Sequence, residues 1–74
     1  MFQDMLIHIN GNKSITIENY RNLLDYKETL LFIQGRQETV KMIGKDFRID
    51  YFTHENMRVT GFLEKIEFQS NSSK

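Results

Sequence analysis

Seventy-four residues, with ten Lys+Arg, ten Asp+Glu and no cysteine, describe one small domain of zero net charge. A chain this short removes only about 60% of its unfolded surface from water, and it has no disulfide or thiolate metal site to staple it. Packing, sheet hydrogen bonds or a second copy must hold it. Zero net charge argues against a nucleic-acid binder, whose affinity comes mostly from neutralising phosphate, and an apolar share of 39% argues against disorder.

No stretch approaches the roughly 20 apolar residues that span a bilayer. The start, Met1-Phe2-Gln3-Asp4, has neither the basic nor the apolar segment of a signal peptide. The expectation is a cytoplasmic protein with no membrane span.

In chain order, the first element is Ile7-His8-Ile9-Asn10-Gly11, apolar residues two apart on one face of an extended strand and closed by glycine. The Asn10-Gly11-Asn12 turn leads to a strand over 14–19, where Ile15 and Ile17 alternate. Residues 19–26 are ambiguous. Ile17, Tyr20 and Leu24 would share a helical face, but a strand over 23–26 after a kink at Arg21-Asn22 fits better, because Asn tolerates left-handed backbone.

After a polar turn at 27–29, Leu31-Phe32-Ile33-Gln34-Gly35 is a second glycine-closed unit. Val40-Lys41-Met42-Ile43-Gly44 and Met57-Arg58-Val59-Thr60-Gly61 are the third and fourth, so every glycine closes one. The last two extend into a longer repeat. Residues 40–51 and 57–68 align without gaps, matching Lys41 with Arg58, Arg48 with Lys65, Ile49 with Ile66, Asp50 with Glu67 and Tyr51 with Phe68. Each copy is expected to be two short strands meeting at its glycine, the two copies being joined by a polar turn at 53–56. Residues 69–74 are a Ser/Asn tail with nothing to bury, expected to be disordered. The fold predicted is all-β: one domain over 1–68, a small antiparallel sheet of six to eight short strands curled into a sandwich or roll.

Few residues invite chemistry. His8 lies on the face opposite Ile7 and Ile9, and His54 sits in a turn; neither has the partners that a metal site or a general base needs. Asp50 and Glu67, at matching places in the repeat, could form an acid–base pair. Each is two residues from a cation on its own strand, Arg48 or Lys65, so a salt-bridged sheet face is the simpler account. Lys41, Arg48, Arg58 and Lys65, with Phe47, Tyr51 and Phe62 nearby, are the raw material of a nucleic-acid platform, but Asp46, Asp50, Glu64 and Glu67 cancel the field. There is no serine elbow, phosphate loop or cofactor fingerprint. Neither an enzyme nor a cofactor is expected. Several strands look apolar on both faces, at 30–33, Tyr51-Phe52 and Phe62-Leu63, which nominates Leu30, Phe32, Phe52 and Phe62 as a partner surface.

The order of these elements resembles the YabP/YqfC family of sporulation proteins. The resemblance is carried by Ile9-Asn10-Gly11-Asn12, Ile15-Thr16-Ile17-Glu18-Asn19-Tyr20, the apolar stretch 30–33, Met42-Ile43-Gly44-Lys45-Asp46-Phe47-Arg48-Ile49 and Val59-Thr60-Gly61-Phe62-Leu63-Glu64-Lys65-Ile66-Glu67-Phe68. It spans about 6–68. Asn22 stands where the family has a glycine, and Phe47 replaces a leucine. What the resemblance implies is a mother-cell protein of endospore-forming bacteria, without catalytic motif, that acts by binding protein. The partner implied is itself or a sporulation membrane protein, which would place it peripherally at a membrane.

Overall fold

The computed structural model describes residues 4–71. All its elements are strands: β1 (Leu6–Asn10), β2 (Ser14–Glu18), β3 (Asn22–Lys27), β4 (Leu30–Gln34), β5 (Glu38–Phe52) and β6 (Asn56–Ser70). They form one antiparallel sheet in the order β1-β2-β6-β5-β4-β3. The predicted all-β curled sheet is what forms. The two copies of the long repeat, however, are single 15-residue strands rather than pairs of short ones.

The sheet has to curl. β2 and β3 lie four places apart in it, about 19 Å if flat, yet only residues 19–21 join them, and the step from Glu18 to Asn22 reaches at most about 14 Å. The bending falls on β5 and β6 at their glycines. A Cβ on Gly44 would stand 1.9 Å from the Phe62 carbonyl oxygen, and Gly61 takes a φ of +142° against the Asp46 and Lys45 carbonyls. No side chain fits the first position, and an L-residue is strained at the second. Asp46, at φ 58°, completes the bend on β5.

Each bend is pinned by a hairpin turn. The Gly61 and Leu63 N–H groups donate to the Lys13 and Asn12 carbonyls in the β1–β2 turn, at 3.0 Å each. The Gly44 and Phe47 N–H groups donate to Thr29 and Glu28 in the β3–β4 turn, at 3.1 and 2.9 Å. Amides left without a ladder partner at each break are thus satisfied by carbonyls of the turns.

The register reveals an internal two-fold. Four apolar rows cross the inner face: Phe52–Met57–Ile17–Ile7, Ile49–Val59–Ile15–Ile9, Phe68–Val40–Ile33–Leu23 and Ile66–Met42–Leu31–Tyr26. The first and third are equivalent, as are the second and fourth, with β5 exchanged for β6 and the β1–β2 hairpin for β3–β4. The two middle residues of every row are buried to 1% exposure or less, and together they are the heart of the core, joined by Phe47 and Tyr20. Where the ungapped repeat equates Tyr51 with Phe68, the sheet equates Phe52 with Phe68, because a bulge between Ile49 and Tyr51 shifts β5 by one residue.

Two further local readings change. The left-handed residue between β2 and β3 is Asn19, at φ 64°, and not Asn22, which begins β3. Asn19 N–H donates to Glu55 O at 2.8 Å, and the buried Tyr20 hydroxyl donates to the Thr53 carbonyl. This ties the β2–β3 link to the β5–β6 turn. Gln69 and Ser70, expected in a disordered tail, instead continue β6 and pair with Thr39 and Glu38. Asn71 caps the turn after β4, its N–H donating to Gln37 O at 2.9 Å and its side-chain amide to Gly35 O at 3.0 Å. Residues 1–3 and 72–74, which carry the rest of the readings on the two ends, lie outside the described residues.

Candidate functional site

The residues nominated for chemistry are dispersed by the bend. His8 is exposed in mid-β1, opposite Thr16 and in line with Arg58 and Tyr51 beyond it. His54 sits in the β5–β6 turn, its Nε2 3.4 Å from a Glu55 carboxylate oxygen. Among the described residues no group of three or more His, Asp or Glu converges as a metal site. Asp50 and Glu67 fall in opposite halves of the ribbon: Asp50 lies 3.6 Å from Arg58 Nε, and Glu67 lies 3.1 Å from Lys65 Nζ and faces Lys41 in register. The four cations accordingly split into two pairs, Lys41 with Lys65 beyond one side of the bend and Arg48 with Arg58 beyond the other.

The partner-surface residues are also divided. Leu30 and Phe32 lie half-buried on the outer face of β4, opposite Ile43 and Lys41. Phe52 ends β5 and Phe62 follows the bend in β6, 57% and 49% exposed. A shallow depression of about 290 Å³ adjoins Phe32, lined also by Thr39, Lys41, Glu67, Phe68 and Gln69.

More apolar surface is exposed than sequence reasoning found. Leu6, Ile9, Leu24, Tyr26, Tyr51 and Phe68 are each at least 41% exposed. Four of the exposed residues are the ends of the core rows: Phe52, Ile9, Phe68 and Tyr26. They are core-face positions at the ends of the rows that the fold leaves uncovered. Their signal was present in the alternation, but only the sheet order shows which members fall at a margin.

The two outer strands manage that margin differently. β3 carries a bulge between Leu23 and Asp25, and places Asp25 and Lys27 on the strand 4.0 Å from each other. Its Tyr26 hydroxyl reaches across to the far half, donating to Phe47 O at 3.2 Å and accepting from Ile49 N–H at 3.3 Å. β1 has no bulge in its pairing with β2, no Asp, Glu, Lys or Arg, and leaves Ile9 45% exposed where β3 has its bonded tyrosine. Bulges and charges are what sheets use to blunt an edge; one edge here is blunted and the other is not.

No helix among the described residues is long and apolar enough to cross a membrane. Searches of curated proteins and of solved structures find no match. The model of the YabP family matches residues 3–74, nearly the whole chain. The chain therefore belongs to the YabP family, which associates it with sporulation.

Proposed function

We propose that this protein is a non-enzymatic module that works during spore formation by binding protein, in the mother-cell cytoplasm and against a membrane-anchored partner. The observation that carries the reading is the uncovered apolar surface: eight large apolar residues, from 41% to 57% exposed, on a sheet with an unblunted edge. Exposed apolar surface of this extent in a small domain is costly in water and is usually kept for a partner. Catalysis has less support, because the residues nominated for chemistry are dispersed and Lys45, Arg58 and Lys65 each stand beside a carboxylate on an exposed face.

The test is capture from sporulating cells. Immobilised protein is expected to retain a membrane-fraction protein that a folded Phe52→Ser, Phe62→Ser double variant releases. Equal retention by both, or none by either, would remove the reading. The alternative, a nucleic-acid module using Lys41, Arg48, Arg58 and Lys65, predicts binding to single-stranded nucleic acid that collapses between low and moderate salt.

A further inference from the structure

We infer that β1 is a self-pairing edge: two copies of this chain join antiparallel along Leu6–Asn10, about a two-fold axis at His8. The inference rests on the protein-binding reading above and names one partner for it, a second copy.

Self-complementarity selects that occupant. In the register centred on His8, Ile7 faces the Ile9 of the second copy, Leu6 faces its Asn10, and His8 faces its own counterpart. Within one chain the row Ile49–Val59–Ile15–Ile9 ends at a half-exposed isoleucine, and the row Phe52–Met57–Ile17 ends at Ile7. Pairing sets the β1 end of one row against the β1 end of the other. Each then runs unbroken through both copies, with eight apolar residues side by side. A one-residue slip in either direction would put one of the two isoleucines, Ile7 or Ile9, against His8 of the second copy, which penalises those registers.

Electrostatics permits the approach. β1 has no Asp, Glu, Lys or Arg, and the whole chain is neutral, so two copies meet without net repulsion. The pseudo-equivalent edge could not do the same. On β3 the bulge at Leu24 breaks the regular spacing of outward N–H and C=O groups, pairing would bring the charged Asp25 and Lys27 into the contact, and Tyr26 is engaged with Phe47 and Ile49. The contact is short. Two five-residue edges cover a few hundred Å², well under the roughly 1,200 Å² of a stable interface, so the dimer forms weakly and depends on concentration.

The absence of cysteine makes the test clean. His8 is the one β1 position that faces itself, so a His8→Cys variant is expected to form an intermolecular disulfide under mild oxidation. A Leu24→Cys variant, also exposed but on the blunted edge, is the comparison. Proximity should make the first at least about tenfold faster than the second. Adding Ile9→Lys to His8→Cys should return the rate to the Leu24→Cys level while the far-ultraviolet spectrum stays β. In parallel, the wild-type mass by analytical ultracentrifugation should rise from 8.9 kDa towards twice that with concentration. Equal cross-linking rates for the two cysteines, with a mass fixed at 8.9 kDa, would overturn the inference. If that occurs while a membrane-fraction protein is still captured, self-pairing alone falls. Self-pairing without such capture leaves it standing and removes the heterologous partner.

Discussion

The β1–β2 hairpin with the first part of β6, and the β3–β4 hairpin with the first part of β5, are two solutions to the same packing problem. At the middle of each row they agree closely: Ile17 and Met57 in one half stand where Ile33 and Val40 stand in the other, and Ile15 and Val59 where Leu31 and Met42 stand. Even the exposures of the row ends match, Phe52 with Phe68 and Ile9 with Tyr26. They part only at the outer strand, where one half is bulged, charged and bonded across the sandwich and the other is plain. A shared core constrains both halves alike, because interiors are close-packed and feel a single methylene. The edges answer to what lies outside the molecule.

The bends offer the most severe way to break the equivalence. Gly44→Ala should cost more than about 4 kcal/mol, enough to unfold so small a domain, since the new Cβ meets backbone that cannot yield. Gly61→Ala should cost less, about 2–3 kcal/mol, from strain at its positive φ and tight contacts near 2.8 Å. Circular dichroism and urea unfolding would check the order; a loss below that of an ordinary surface change at Gly44 would refute the pinned bend. Next come the row centres. Ile15→Ala and Leu31→Ala are each expected to lose about 3 kcal/mol, and to differ by less than about 1 kcal/mol if the halves are energetically equivalent. Unequal midpoints in urea would show that one half dominates.

The link between the halves comes third. Tyr20→Phe removes the hydroxyl that donates to Thr53 and should cost about 1 kcal/mol. Burial pushes the Tyr20 hydroxyl up from the ordinary tyrosine value, so the folded chain holds that proton more tightly than the unfolded one. Its contribution is complete below the ordinary tyrosine range and is lost as pH rises through it and beyond. An alkaline decline in thermal midpoint should therefore be shallower in Tyr20→Phe than in the parent. The smallest effect belongs to the surface ion pairs. Asp50→Asn and Glu67→Gln should each move stability by no more than about 0.5 kcal/mol, because both pairs are solvated. A larger loss at only one would mark a hidden difference between the halves.

Much of this was legible in the residues, and for one reason: period-two alternation and glycine spacing are local. The repeat over 40–51 and 57–68 foreshadowed the ribbon, and Gly44 and Gly61 align because both serve the same bend. What stayed hidden depends on pairing at long range. Nothing local shows that β2 pairs with β6 rather than with β3, and hence that β1 and β3 become the margins. The partner surface suffered most from this. Leu30 and Phe32, nominated from a two-sided apolar run, sit half-buried, whereas Ile9 and Phe68, which that reasoning did not nominate, end a row in the open. The bulge that substitutes Phe52 for Tyr51 as the partner of the core is equally invisible without the opposite strand.

The late position of β6 in the chain has a kinetic corollary. β3, β4 and β5 are sequential neighbours, so that half can assemble from local hairpins as it emerges, and the β5–β6 turn closes quickly. The first hairpin, by contrast, must wait for residues 56–60, some forty positions downstream, before Ile15 and Ile17 gain their partners. Loop closure over that distance is slow relative to hairpin formation. During synthesis, at about 5–20 residues per second, β1 and β2 therefore spend seconds as an apolar ribbon with both long edges bare. The same strand that suits self-association in the finished molecule is the one most exposed to mispairing while the molecule is being made.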